Sequence, residues 1–155
     1  MKIQMRRVDR QVSREEAETF LDRAEYGFLS LFSDDEYPYG IPVNFVRDKS
    51  SIYIHCAQSG RKIDCLKKSP KASLCAIAAE NVDASRFTTK YESAMVFGEI
   101  SPVEDEGEKI ESLKKLCARF CPDSADAFDE HIKKSLAITA VLKLKIEAIT
   151  GKRRK

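Results

Sequence analysis

The chain has 155 residues, a length typical of one domain, and we predict a single domain over residues 1–155. Hydrophobic residues make up 43% and charged residues 34%, which is typical of a globular protein and excludes a disordered one. The 27 basic and 25 acidic side chains leave a net charge of only +2, which argues against a dedicated nucleic-acid-binding protein. The N-terminus is charged, and no apolar run reaches the ~18–20 residues of a membrane span, so we predict a cytoplasmic protein without membrane contact.

The cysteines point to the same compartment. Their number is odd, and no C-x-x-C spacing occurs among them. A disulfide framework or a four-ligand zinc site requires a more regular pattern. We therefore predict no metal site and five reduced thiols, at Cys56, Cys65, Cys75, Cys117 and Cys121.

The first predicted element is a helix of about three turns that follows residue 13. Ser13 and Glu16 have the spacing of a capping box, in which each side chain accepts a hydrogen bond from the other residue's backbone N–H. Apolar residues then recur at helical spacing, and they predict one buried face made of Ala17, Phe20, Leu21 and Ala24.

Strand signals dominate the next part of the chain, where aromatic and β-branched residues are dense. The predicted strands cover residues 26–32, 38–47, 51–57, 72–78 and 91–103. A helix over residues 60–68 is the one helical prediction among them. The first three strands have no helix between them, which argues against a doubly wound parallel sheet.

The last third of the chain predicts two helices and a strand. Asp105 with Glu108 caps a helix over 106–120, and a second apolar stripe continues to about residue 136. His131 lies in a charged stretch of this second helix, so we predict an ordinary surface residue there. From residue 142 apolar and charged residues alternate, as in a strand with one buried face. The pattern as a whole predicts a mainly β fold, an antiparallel barrel of about six strands with three to four peripheral helices.

A candidate anion site lies where the third predicted strand passes into the helix over 60–68. Ser59 is the predicted N-cap of this helix, and Gly60 gives the backbone room to approach a ligand. Arg61 and Lys62 occupy the first turn, where the helix dipole disfavours cations. A bound phosphate would resolve this conflict by accepting from backbone N–H groups and both cations. The alternative is a pair of solvated surface charges, which is common.

A second candidate feature is the strand over 38–47. Pro38 and Pro42 have the same parity, so the N–H groups that they lack lie along one edge of the strand. Backbone groups near Val43 and Asn44 are then available to a planar heteroaromatic ligand. The equally weighted alternative is an edge strand protected by its prolines against aggregation.

Several short motifs follow one another in an order that covers nearly the whole chain. They are Met5-Arg6-Arg7, Tyr37-Pro38-Tyr39-Gly40-Ile41-Pro42-Val43-Asn44, Ile54-His55-Cys56-Ala57 with Ser59-Gly60, Phe87-Thr88-Thr89, Tyr91-Glu92-Ser93, Val96-Phe97-Gly98, Ile146-Glu147 and Ile149-Thr150-Gly151-Lys152. In this combination the chain resembles the pyridoxamine 5′-phosphate oxidase-like family of FMN-binding split barrels. Within that family it looks most like the nitroimidazole-resistance branch.

The resemblance implies a homodimer with two FMN molecules in clefts between the subunits. It implies that the FMN phosphate lies against His55, Ala57, Ser59, Gly60, Arg61 and Lys62. The isoalloxazine rim would follow Pro42, Val43 and Asn44, and Ser93 stands where oxidase relatives have a flavin-contacting glutamine. Sequences of the nitroimidazole-resistance branch often have histidine where this chain has Arg61, which keeps a cation but cannot shuttle a proton.

Three functions follow from these observations. The leading one is an FMN-dependent oxidoreductase, in which a small molecule and an NAD(P)H donor exchange hydride at flavin N5, with no catalytic side chain assigned. The second is a non-enzymatic protein that stores or senses FMN. The third, a nucleic-acid-binding barrel, is opposed by the near-neutral charge.

Overall fold

The computed structural model of the protein describes residues 3–33 and 37–155. The strands of this part are β1 (Gly27–Leu31), β2 (Tyr39–Val43), β3 (Val46–Asp48), β4 (Ser51–Ala57), β5 (Lys71–Asp83), β6 (Thr88–Pro102) and β7 (Thr139–Arg154). Its α-helices are α1 (Arg14–Arg23), α2 (Arg61–Lys68), α3 (Glu106–Phe120) and α4 (Phe128–Ser135). No helix among these residues combines the length and the apolar character needed to cross a membrane.

The predicted helix starts are confirmed at α1 and α3. Both hydrogen bonds of the capping box between Ser13 and Glu16 are present, and the Asp105 side chain accepts from the backbone N–H of Glu108. The strand predicted over 38–47 is wrong in one respect, because Asn44 and Phe45 divide it into β2 and β3. The strands therefore number seven among the described residues, one more than expected.

All seven strands form one antiparallel sheet in the order β2-β1-β5-β6-β7-β4-β3. β2 and β3 are thus its two outer strands, although only Asn44 and Phe45 separate them in the chain. The three Cα–Cα steps from Val43 to Val46 reach at most about 11 Å. Because of this short link the sheet has to curl until the end of β2 lies near the start of β3, and it forms the predicted small barrel, which stays open between these two strands.

The interior of this barrel is an apolar, buried core. Its largest fully buried side chains include Phe20, Leu29, Phe45, Ile54, Leu74 and Leu144. α1 packs over β5, β6 and β7, with its buried face supplied by the residues that the helical spacing predicted. A second, smaller core of Tyr53, Leu113, Leu116 and Val141 lies on the outer side of β4 and β7, under α3.

The Arg119 side chain of α3 and the backbone just after α1 hold the two-residue link in place. The Asn44 amide donates to the backbone oxygen of Glu25 at 3.3 Å. Phe45 is fully buried, and the Arg119 guanidinium lies over its ring with 4.9 Å between Cζ and the ring centroid. Arg119 also donates to the backbone oxygen of Ala24, just after α1. The split is therefore fixed by the end of α1 and the end of α3 together.

Gly98 lies where two barrel strands, β6 and β7, approach each other closely. A Cβ built on this residue would lie 1.8 Å from the backbone oxygen of Lys145, beside the irregular register of β6 and β7. Because backbone atoms cannot yield as a side chain can, we expect Gly98→Ala to lower the free energy of unfolding by at least about 2 kcal/mol in urea titrations.

Gly40→Ala is the matched control for this substitution. Its nearest atom would be the Ser30 hydroxyl oxygen at 3.9 Å, and Gly40 has no positive φ. The expected change in the free energy of unfolding is below about 1 kcal/mol. Equal effects of the two alanine substitutions would contradict the close strand packing at Gly98.

Candidate functional site

The turn between β4 and α2 is built around a glycine. Gly60 has φ 117° and ψ 175°, a conformation that other residues rarely adopt, and it is the N-cap of α2. The prediction that Ser59 is the N-cap is wrong, since the helix begins one residue later and no side chain caps it. The Gln58 amide donates to the backbone oxygen of Ala137 and ties this turn to the segment before β7.

The start of α2 has the chemistry of an anion site. The first N–H groups of a helix have no acceptor within the helix, and here no side-chain cap stands in for one. Apart from its two chain neighbours, no described residue has an atom within 4 Å of the position that a Cβ on Gly60 would take, so a ligand could approach the backbone there. Burial raises the pKa of the Cys56 thiol, and the positive charge of Lys62 opposes this shift.

Arg61 brings this turn together with the edge strand. Its guanidinium lies over the Tyr39 ring with 4.7 Å between Cζ and the ring centroid, and it donates to the Ser33 hydroxyl oxygen at 3.3 Å. The two segments that the sequence singled out, one around Gly60 and one along β2, are therefore neighbours in space. Their separation along the sequence did not predict this contact.

The three residues predicted along β2 are placed differently from one another. The Val43 side chain is buried in the barrel core, so Val43 can offer a ligand only its backbone. Pro42 is exposed on the outer face, opposite Phe28 of β1. Asn44 is exposed at the split. β2 has β1 as its one neighbour in the described sheet, so it is an edge strand, as both interpretations of its prolines predicted.

His55 and Ala57 lie on the outer face of β4, at the end that leads into the turn. Asn44, His55 and Thr139 line a cavity of about 470 Å³ whose other wall is formed by α3 and α4. The cavity lies next to the second core, because Tyr53 precedes His55 by two residues on the same face of β4. The structure thus joins His55 and Asn44, which the sequence assigned to two different ligand groups.

A partly buried ion pair holds α3 against the sheet beside this cavity. The Glu108 carboxylate accepts from the Lys143 ammonium at 2.6 Å and from the Tyr53 hydroxyl at 2.7 Å. These two hydrogen bonds lower the pKa of Glu108, whereas burial and the same carboxylate raise the pKa of Tyr53. The cavity wall formed by α3 is therefore anchored on both β4 and β7.

Ser93 does not join the other predicted site residues. It lies on the outer face of β6, between Ile77 and Lys152 of the neighbouring strands. β6 is three strand spacings from β2, which is about 14 Å along the sheet. Within one chain Ser93 is therefore well separated from β2.

Sequence reasoning missed the contribution of α4 to the cavity. His131 is exposed, as predicted, but it lines the cavity together with Phe128, Ile132 and Ser135. His131, Ile132 and Ser135 follow Phe128 by three, four and seven positions, so the helical period alone places His131 on the apolar face. Among the described residues, no group of three or more His, Cys, Asp or Glu side chains converges on a metal position.

The open antiparallel barrel, split beside a glycine-capped helix, defines a split-barrel protein. A family model described as pyridoxamine 5′-phosphate oxidase matches residues 13–153, and the chain belongs to this family. The resemblance inferred from the sequence motifs is thereby confirmed. A search of curated proteins gave no match.

Solved structures with the same fold include proteins whose descriptions name different functions and ligands. A candidate 5-nitroimidazole antibiotic resistance protein from Bacteroides thetaiotaomicron has a TM-score of 0.75 at 21% identity, over 92% of this chain and 85% of that one. A FAD and heme binding protein from Mycobacterium smegmatis has a TM-score of 0.78 at 24% identity, over 94% and 74%. A flavocytochrome from Azotobacter vinelandii has a TM-score of 0.79 at 21% identity, over 98% and 72%.

Proposed function

We propose that this protein binds FMN and acts as an FMN-dependent oxidoreductase on a small molecule. The observation that carries the proposal is the contact between the two ligand-binding segments. The glycine-capped start of α2 lies beside the edge strand β2, and Arg61 spans from one to the other. An anion site next to an open strand edge suits a ligand with a phosphate at one end and a planar ring at the other.

The phosphate end is assigned to the turn. Backbone N–H groups at a helix start and two cationic side chains are the usual partners of a phosphate dianion. Gly60 leaves open the space that the phosphate would occupy, and Arg61 and Lys62 supply the cations. Ser59, Ala57 and His55 line the approach from β4.

The ring end is assigned to β2. Its backbone groups at Pro42, Val43 and Asn44 would orient the polar rim of the isoalloxazine. When bound, the flavin supplies the hydride and electron transfer, and no side-chain acid or base of this chain is assigned to that chemistry. The role of the protein is therefore to bind and orient the flavin.

FMN is favoured over FAD by the same geometry. A terminal phosphate carries a second negative charge, which suits the paired cations at the helix start. The similar protein from Mycobacterium smegmatis is described as binding FAD and heme, and this makes the flavin type the first question for experiment.

A homodimer completes the proposed site. The outer face of the sheet carries exposed apolar side chains on adjacent strands, with Phe28 44%, Ile77 50% and Met95 36% exposed. Phe87, at the tip of the β5–β6 hairpin, is 98% exposed. Such a surface is typical of a protein–protein interface. A second copy packed there would bring its own Ser93 toward the flavin.

The first prediction from the proposed function concerns the phosphate. In Arg61→Ala/Lys62→Ala, the affinity for FMN should fall by about 1.5–3 kcal/mol for each charged hydrogen bond lost. The affinity for riboflavin should stay unchanged, because riboflavin has no phosphate. Equilibrium titration of both flavins measures this difference.

The matched control is Lys67→Ala/Lys68→Ala, which removes the same charge from the other end of α2. It should leave the affinity for FMN unchanged. An equal loss of FMN and riboflavin binding in the Arg61/Lys62 variant would show that these residues support the fold instead. If the unsubstituted protein binds riboflavin as tightly as FMN, the phosphate site is wrong.

The second prediction concerns the homodimer. Light scattering should give twice the mass of the chain, with the interface burying about 2,000 Å² or more, as in obligate dimers. Met95→Lys places a charge in the exposed apolar face and should yield monomers with weakened flavin binding. Val8→Lys is the control, since Val8 is 66% exposed but is not part of the sheet. A monomer that retains its flavin would contradict the shared site.

The third prediction separates an oxidoreductase from a flavin store. Under anaerobic conditions NADH or NADPH should bleach the visible absorption band of the bound flavin, and a small-molecule acceptor should restore it. The rate should scale with the amount of bound FMN and fall in the Arg61/Lys62 variant. A flavin that dithionite reduces but neither nicotinamide does would favour storage or sensing.

A further inference from the structure

We propose that a groove between the N-terminal turn (Val8–Arg10) and the last residues of β7 binds a diphosphate group, either free or carried by a nucleotide. This basic groove has a volume of about 470 Å³, within the range of about 300–1,000 Å³ that is typical of small-molecule sites. Its lining carries four arginines and one lysine but only two carboxylates, Asp9 and Glu16. The proposal does not rest on the proposed flavin function.

Two distant parts of the chain form the basic groove. β4 pairs with only the first part of β7, and the N-terminal segment covers the same edge of β7 further along. The backbone N–H of Val12 donates to the Gly151 oxygen at 3.1 Å, and Gln11 forms a β-bridge with Lys152. The other edge of β7 pairs with β6. Because hydrogen bonds fix the backbone on both sides, the groove is present before any ligand binds.

Two of the four arginines are paired with carboxylates. Arg7 donates to both carboxylate oxygens of Asp9, at 2.8 and 2.6 Å. Arg153 donates to Glu16 at 2.6 Å and to Glu92 at 2.9 Å. The hydrogen bonds from Arg7 lower the pKa of Asp9 to about 2, so this pair stays charged near neutral pH. These ion pairs hold the walls of the basic groove in place.

The other two arginines, Arg10 and Arg154, have no such partner. Neither forms an ion pair with a carboxylate of the residues that the structure describes. Both adjoin Tyr91 of β6, because Arg10 donates to its hydroxyl oxygen at 3.3 Å and Arg154 lies directly opposite it on β7. Both are half-buried. Two guanidinium groups beside one tyrosine repel each other, and an anion between them would offset this repulsion.

The chemistry of these groups favours a diphosphate. A guanidinium can donate two parallel hydrogen bonds to one phosphate, so two unpaired guanidinium groups match two linked phosphates. A single phosphate would leave one of them without a partner. None of the described residues that line the groove is aromatic, so a nucleobase has no ring to stack on. The affinity is therefore expected to come from the diphosphate group.

Isothermal titration calorimetry of the full chain with inorganic pyrophosphate tests the site, in a buffer without divalent cations, which pyrophosphate would chelate. We expect saturable binding both with and without bound FMN. Inorganic phosphate should bind about tenfold more weakly, a difference of about 1.4 kcal/mol. A parallel titration with ADP identifies the source of the group. Equal affinity means that the diphosphate alone is recognised, tighter binding of ADP indicates a nucleotide, and both results support the site.

Arg10→Gln and Arg154→Gln each remove one unpaired guanidinium and should weaken pyrophosphate binding by about tenfold. Arg14→Gln is the matched control. It makes the same change of charge at an arginine that pairs with Glu18 of α1 and does not line the groove. This control should leave the affinity for pyrophosphate unchanged. Thermal unfolding of the three variants verifies that each of them is folded.

Three results would overturn the proposal. The first is no saturable binding of pyrophosphate. The second is an equal loss of affinity in the Arg14→Gln control, which would show that net charge alone attracts the anion. The third is displacement of pyrophosphate by FMN, which would make the basic groove part of the flavin site. Pyrophosphate binding by a protein that takes up no flavin would support the groove and reject the proposed flavin function.

Discussion

The short link between the two edges of the sheet is the constraint on which the rest of the structure depends. Asn44 and Phe45 alone connect the first strand of the spatial order to the last, so the sheet has to curl until the end of β2 lies near the start of β3. Phe45 fills the core at that point, and Arg119 covers its ring while binding the end of α1. The curl of the sheet, the placement of α1 and α3, and the open edge of β2 thus all depend on this short link.

The same link sets the surroundings of the proposed ligands. Because β2 ends at the split, its free backbone edge lies next to Asn44 and within reach of Arg61, which stacks on Tyr39. Because β3 turns directly into β4, His55 is brought to the cavity that Asn44 also lines. The segments assigned to the flavin and the cavity beside them therefore share a boundary fixed by the backbone.

Electrostatics and packing have different roles around this boundary. At the start of α2, cations stand where the helix dipole disfavours them by about 0.3–1 kcal/mol each. A bound phosphate would more than offset that cost. At α3 the carboxylate of Glu108 accepts two hydrogen bonds from the sheet and anchors the helix. One set of charges is thus suited to a ligand, whereas the other stabilises the cavity wall.

The sequence by itself determined those features that depend on local chemistry. The capping residues Ser13 and Asp105 fix two helix starts, and alternation fixes the buried face of β7, because both signals involve neighbours along the chain. The order of the strands, the contact of Arg61 with Tyr39 and the cavity beside His55 were decided by the tertiary structure alone. They join residues far apart in the chain, and no local periodicity encodes which distant surfaces pack together.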